Sequence, residues 1–290
     1  MDAQELLKKV RKIEIKTKGI SRHLFTGAYH SVFKGRGMTF SEVREYTPGD
    51  DVRHIDWNVT ARTGLPFVKV YEEERELTLM LIVDISSSTL FGSNEQLKSE
   101  WIAEIAAVLA FSATQNNDKV GLILFDSQVR LYIPPKKGRQ HILRIIREIL
   151  GAEYRQVETA LQPALEYFSG TMNKRSICFI LSDFYTHIPE TTLRLVSKKH
   201  ELTCIVPFDP IEKNLKGSGV LALRNPETND EFLVDLSNKN QLEVWHKNEK
   251  SRLTSLQTIF SKANVSYLSL TTGEEYIKNL LSYFKSKGKR

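Results

Sequence analysis

Leu77-Thr78-Leu79-Met80-Leu81-Ile82-Val83 is apolar at every position but one and stops at Asp84. It lacks the polar and apolar alternation of a half-exposed strand, so it suits a strand covered on both faces. Such a strand needs helices on two sides, and the following sequence supplies them. The pattern reads helix (about 94–116), strand (119–125), strand (129–133), helix (139–150), helix (160–169), strand (176–182), helix (189–200) and strand (202–208). This order predicts a doubly wound, mostly parallel α/β sheet. The connection Phe125-Asp126-Ser127-Gln128-Val129 is too short for a parallel crossover, so one antiparallel edge pair makes the sheet mixed.

Beyond Pro207 and Pro210, two short apolar stretches at 220–223 and 231–236 read as a β-hairpin insertion. A helix at 239–262, a strand at 265–270 that joins the same sheet, and a helix at 274–285 complete the pattern. Ahead of the main domain, Leu6, Val10 and Ile13 share one stripe of a lysine-rich helix ending near Gly19. Glycine and proline punctuation from 27 to 64 then predicts loops and short strands. The expected organisation is a basic amphipathic helix (1–19), a loop and short-strand appendage (20–75), the α/β domain (76–285) and a basic tail (286–290).

The chain of 290 residues carries a net charge of +6, which raises nucleic-acid or anionic-membrane binding as a reading. The charge lies at the ends, however: residues 1–40 are +6, 281–290 are +4, and 41–280 are −4. Nucleic-acid or membrane contact is therefore an alternative confined to the basic ends, chiefly the first helix. Cys178 and Cys204 sit inside apolar runs and read as buried, reduced thiols. The first twenty residues lack the apolar core of a secretory signal, and no apolar run approaches the roughly 20 residues that cross a bilayer. A cytoplasmic location is the expectation.

Asp84-Ile85-Ser86-Ser87-Ser88 is a D-x-S-x-S pattern at the carboxyl end of a central strand, where α/β sheets place ligands. One carboxylate and two hydroxyls on alternate residues of a turn offer the oxygens that a hard cation such as Mg²⁺ takes in octahedral array. Serines after a strand also cap the next helix, so the pentapeptide alone leaves both readings open. Thr159, before the helix at Ala160, and Asp183, just past the strand Ile177 to Leu181, should reach the same sheet edge.

This set resembles the metal-ion-dependent adhesion site of von Willebrand factor A domains. The resemblance implies that Asp84, Ser86, Ser88, Thr159 and Asp183 surround one divalent ion, Mg²⁺ or alternatively Mn²⁺ or Ca²⁺. A second resemblance covers nearly the whole chain. It rests on Gly35-Arg36-Gly37, Phe40, Arg44-Glu45-Tyr46, Pro48-Gly49-Asp50-Asp51-Val52-Arg53, Ile55-Asp56-Trp57 and Ala61-Arg62. This block is similar to that of the bacterial family called domain of unknown function 58, in which it precedes a von Willebrand A-like domain. Members are often encoded beside MoxR-type AAA+ ATPases, which implies a part in a chaperone-like or complex-assembly system. Glu158 stands where the broader pattern often has glycine.

In physical terms, Pro48-Gly49 is a turn dipeptide, and Arg44, Arg53 and Arg62 offer planar forks to carboxylates such as Asp51 and Asp56. The block reads as a polar network fixing the appendage, with partner binding or nucleotide sensing by the three arginines as the alternative, and Trp57 as its anchor to the main domain. Phe184 and Tyr185 are candidate partner-contacting aromatics beside the ion, with core packing as the equal alternative.

The chain contains no G-x-x-x-x-G-K-[ST], so ATP use belongs to a partner. Its seven histidines form no zinc-ligand pattern. Asp84 and Asp183 leave open a metal-dependent phosphohydrolase, although no positioned histidine or lysine accompanies them in the motifs. The expectation is a non-enzymatic, metal-dependent protein-binding adaptor. A partner's acidic residue completes the ion's shell, and a MoxR-type ATPase is the partner that the resemblance implies.

Overall fold

The computed structural model describes residues 3–25, 39–72, 77–93, 96–213, 215–224 and 230–287. Six strands form the main sheet: β3 (Thr78–Asp84), β4 (Lys119–Phe125), β5 (Val129–Lys136), β6 (Ile177–Leu181), β7 (Glu201–Phe208) and β10 (Ser266–Thr271). They lie in the order β10-β7-β6-β3-β4-β5, and only β5 runs antiparallel to its neighbour. Counting only these strands in chain order from the β5 edge gives 3-2-1-4-5-6, the doubly wound order. The expected sheet class, central first strand and antiparallel edge are all present.

Leu79 to Val83 is at most 1% exposed, as a strand covered on both faces must be. Met80 and Ile82 pack with Leu161, Leu165 and Phe168 of α5 (Leu161–Thr171) and Phe260 of α8 (Lys239–Lys262). On β6, Phe179 meets Phe284 of α9 (Tyr276–Lys287) edge to face with centroids 6.2 Å apart, within the roughly 4.5–7 Å that aromatic pairs prefer. The nearly continuous burial of α3 (Lys98–Gln115) includes Trp101, Ile102 and Ile105 to Leu109. Helices α4 (Arg139–Leu150) and α6 (Glu190–Lys199) complete the covering layers.

The first helix, α1 (Ala3–Phe25), runs past Gly19 and packs on α3 and α4 as part of the main unit. Val10 and Ile13 are buried as the stripe predicts, while Leu6 is half-buried. Strands β8 (Val220–Arg224) and β9 (Glu231–Asp235) form the expected antiparallel hairpin. Among the described residues no helix is long and apolar enough to cross a membrane.

Phe33–Glu76 forms a separate compact unit. Its β1 (Thr39–Glu45) and β2 (Phe67–Glu72) pair antiparallel, and between them lies α2 (Trp57–Thr63), a helix that the glycine and proline punctuation did not predict. Asp56 caps α2 by accepting from the Asn58 and Val59 amides, and Gly64 ends it at φ +75°. The network pairs Arg44 with Asp50 at 2.7 Å and Arg53 with Asp51 at 2.6 Å, whereas Asp56 faces Lys69 at 3.5 Å. Asp50 rather than Asp56 is thus the partner Arg44 finds, because the turn closed by Thr47 brings Asp50 back beneath it. Arg62 is exposed in the last turn of α2. Trp57 is 69% exposed and so is no buried anchor. Gly35-Arg36-Gly37 lies outside the described residues.

Candidate metal-binding edge

Register brings the site together. Val83 of β3 pairs with Leu181 of β6, which sets Asp84 level with Ser182, and the Ser182 hydroxyl donates to Asp84 Oδ2 at 2.5 Å. Both residues lie where strands wound in opposite directions diverge, the crevice in which this class of sheet receives ligands. The other Asp84 oxygen accepts the Ser86 amide at 2.8 Å, so the turn after β3 folds back over its own carboxylate. That turn continues as the short 3₁₀ segment Ser87–Leu90, and the hydroxyls of Ser86 and Ser88 lie 3.0 Å apart. The Ser88 hydroxyl donates to Asp183 Oδ1 at 3.3 Å across the switch point.

Asp84 and Asp183 are each only 2% exposed. Burial disfavours the ionised form of Asp84 and the charge of Asp183 adds to that effect, so its carboxyl sits well above the ordinary carboxylate range. Phe184 adopts φ +54°, a left-handed conformation that an aromatic residue rarely takes. This turn sends Phe184 into the core, 2% exposed and edge-on to Phe260 at 5.1 Å, while Tyr185 stays 40% exposed. Of the two expected partner-contacting aromatics, Phe184 is therefore a core residue.

Thr159 is buried near the same edge, on a loop tied down at three points. Arg155 makes a parallel bridge to Ser86, the Ala160 amide donates to the Asp126 carbonyl at 2.9 Å, and the Thr186 hydroxyl donates to the Thr159 carbonyl. Hydrogen bonds thus join Asp84 to Ser182 and link Ser86, Ser88 and Asp183. Thr159 connects to this edge through its backbone and its loop.

Several polar groups here had no place in the motif. Lys98, the first residue of α3, is 1% exposed, and its ammonium lies 3.3 Å from Asp183 Oδ2 and 2.5 Å from Glu212 Oε1. Burial alone would lower its pKa, but the charges of Asp183 and Glu212 outweigh burial and raise it. A lysine from outside the motifs therefore accompanies the carboxylates. Its signal was available: a cation in the first turn of a helix opposes the helix dipole, so it calls for a nearby anion. Arg252 of α8 donates to the Asp183 carbonyl at 3.0 Å, pairs with Glu249 at 2.6 Å and lies 3.8 Å from the Tyr185 ring centroid. Nothing local in the sequence connects residue 252 to residue 183.

Two buried carboxylates, two buried hydroxyls and a buried threonine form an all-oxygen donor set, the chemistry a hard cation prefers. Among the described residues no group of three or more His, Cys, Asp or Glu side chains could hold a metal ion, so any ion at this edge depends on the hydroxyls. The residues fit such an ion, because a positive charge would offset both the burial and the Asp183 repulsion that raise Asp84.

The uncharacterized protein Rv1480 of Mycobacterium tuberculosis is 26% identical over 292 residues, covering 99% of this chain and 91% of the relative. Among solved structures, BatB from Bacteroides thetaiotaomicron matches 74% of this chain and 100% of its own at 14% identity, with a TM-score of 0.48. The SpRpn10 VWA domain matches 72% and 95% at 9% identity, with a TM-score of 0.42. The family model described as "Protein of unknown function DUF58" matches residues 42–253, nearly three-quarters of the chain, and the chain belongs to that family.

Proposed function

We propose that the protein is a non-enzymatic adaptor that binds another protein through a divalent ion at the Asp84–Asp183 edge. The observation that carries this reading is the buried carboxylate and hydroxyl cluster bordered by exposed apolar side chains. Leu90 is 41% exposed, Phe91 37% and Tyr185 40%, and the rings of Phe91 and Tyr185 flank the Lys98 ammonium at 5.7 and 5.6 Å. Apolar and aromatic side chains around a polar centre are the make-up of a protein-binding patch rather than of a deep substrate pocket.

Asp84, Ser86, Ser88, Thr159 and Asp183 would hold Mg²⁺, directly or through water, and the ion would supply a Lewis-acidic position for a carboxylate from the partner. The chain's own groups prepare that position. Ser182 and the Ser86 amide fix the Asp84 oxygens, Ser88 orients Asp183, and Arg252 holds the Asp183 backbone. The family resemblance nominates a MoxR-type AAA+ ATPase as partner in complex assembly, and a cytoplasmic location accords with that pairing.

Lys98 beside Asp183 also lends weight to the phosphohydrolase reading. Its ammonium is engaged by two carboxylates at 1% exposure, however, which leaves it poorly placed to receive a phosphate. The test measures binding of the purified protein to the MoxR-type ATPase of its own genome, with Mg²⁺ and with chelator, for wild type and Asp183→Ala. At least a tenfold loss with chelator and in the variant is expected. Equal affinity in all conditions overturns the ion-dependent reading, and phosphate-ester turnover abolished by Asp84→Ala would replace it with the hydrolase.

A further inference from the structure

Asp183 divides its two carboxylate oxygens between different partners. Oδ1 accepts from Ser88 and so faces the hydroxyl side of the edge, while Oδ2 accepts from Lys98. Glu212 is the second anion on the same ammonium. It belongs to α7 (Pro210–Lys213), which follows β7, and its other carboxylate oxygen accepts the Asp209 amide at 2.9 Å. Its backbone carbonyl accepts the Trp245 indole N–H of α8 at 3.0 Å. Asp209 in turn accepts the Ser93 amide at 2.7 Å, beyond the 3₁₀ segment that carries Ser88. Lys98 is thus shared between a candidate ion ligand and a segment that reaches α8.

We propose that Lys98 is a positioning residue that sets the affinity of the edge for a divalent ion by competing for Asp183, and that it passes ion occupancy to the Pro210–Lys213 segment through Glu212. This inference rests on the ion-binding reading above. A divalent ion drawn to Asp183 meets an ammonium already bound to the same carboxylate, and the low-dielectric surroundings leave that repulsion poorly screened. As the Asp183 bond weakens, Lys98 is left to Glu212. The Glu212 carbonyl and the Trp245 indole then share whatever displacement follows.

Trp245 therefore supplies a readout of its own. Chelator-stripped wild type, Lys98→Met, Glu212→Gln and Trp245→Phe are each titrated with Mg²⁺ by calorimetry and by tryptophan fluorescence, after circular dichroism has shown the fold intact. Removing the ammonium is expected to tighten Mg²⁺ binding at least tenfold. Glu212→Gln, which leaves Lys98 to Asp183 alone, is expected to weaken it at least threefold. Mg²⁺ is expected to change the emission of wild type but not that of Lys98→Met or Trp245→Phe. Should Lys98→Met fail to fold, Glu212→Gln and the fluorescence change decide.

Calorimetric Mg²⁺ binding in the wild type with unchanged affinity in the variants overturns the proposal and leaves the ion-binding reading standing. A fluorescence response that survives in Trp245→Phe overturns the relay through Glu212. Absence of Mg²⁺ binding in both wild type and Lys98→Met removes the ion-binding reading itself, and this inference with it.

Discussion

The side chains at the sheet edge differed in how far sequence spacing could find them. Asp84, Ser86 and Ser88 follow one strand in a short pattern, and Asp183 follows the neighbouring strand at the same level, so strand prediction alone placed them together. Lys98, Glu212 and Arg252 come from three separate helices, and only tertiary packing brings them to Asp183. Phe184 was ambiguous because the left-handed turn that buries it leaves no mark on an aromatic residue in the sequence.

His200 was equally silent, and it carries a pH dependence. It is 2% exposed, packs tilted against Phe168 with ring centroids 4.5 Å apart, and neither ring nitrogen has a hydrogen-bond partner among the described residues. Burial, helped by the nearby Lys199 charge, lowers its pKa from 6.5 to about 4. Between those values the unfolded chain binds the proton and the folded one does not, so stability falls as pH drops through this window. The loss amounts to about 1–3 kcal/mol by pH 4. His200→Leu removes the titrating group and the unsatisfied nitrogens at similar volume. Urea unfolding at pH 7.5 and 4.5 is expected to show a smaller loss on acidification in the variant than in wild type. Parallel losses in the two proteins would show that His200 does not titrate within the fold.

Strands and long helices were legible because burial imposes their period. Every strand of the main sheet falls within a few residues of its apolar run, and α8 has the bounds expected for it. The short α2 was missed because its seven residues, WNVTART, bury no side chain, so packing writes no stripe into them. For α1 the stripe was visible but its use was not. Its lysines suggested a docking surface, yet Lys9 reaches Glu100 at 2.6 Å and Lys16 reaches Glu104 at 2.7 Å, both on α3. Part of the positive charge thus fastens the helix to the main unit.

Glu104 is the deeper end of that attachment, its side chain 3% exposed and bonded to the Tyr276 hydroxyl at 2.5 Å as well as to Lys16. Glu104→Ala leaves the tyrosine hydroxyl without its acceptor and is expected to cost about 2 kcal/mol, whereas Lys16→Met, at a half-exposed ammonium, should cost under about 1 kcal/mol. Hydrogen exchange locates the effect: α1 amides should exchange faster in Glu104→Ala while those of β3 and β4 keep their relative protection. Uniform acceleration across the sheet would mean that α1 unfolds only together with the core.

At the scale of the whole molecule, the matched family region spans both compact units, although the two are built on different physics. The main unit holds almost all of the buried apolar side chains, whereas Val68 is the one buried apolar side chain among the described residues of Phe33–Glu76. The smaller unit's regularity comes instead from a strand pair, the Asp56 cap and exposed ion pairs, which individually add little stability in water. A segment of roughly 44 residues lies near the lower size limit for domains without disulfides or metal, and with so little core it lacks the apolar burial that a chain of this size needs to fold alone. The isolated 33–76 peptide is therefore expected to show a coil-like far-ultraviolet circular dichroism spectrum and no cooperative thermal transition. A sigmoidal, reversible transition in that peptide would instead show that hydrogen bonds and ion pairs alone hold it, and the block of arginines and aspartates would then be the fold's own scaffold.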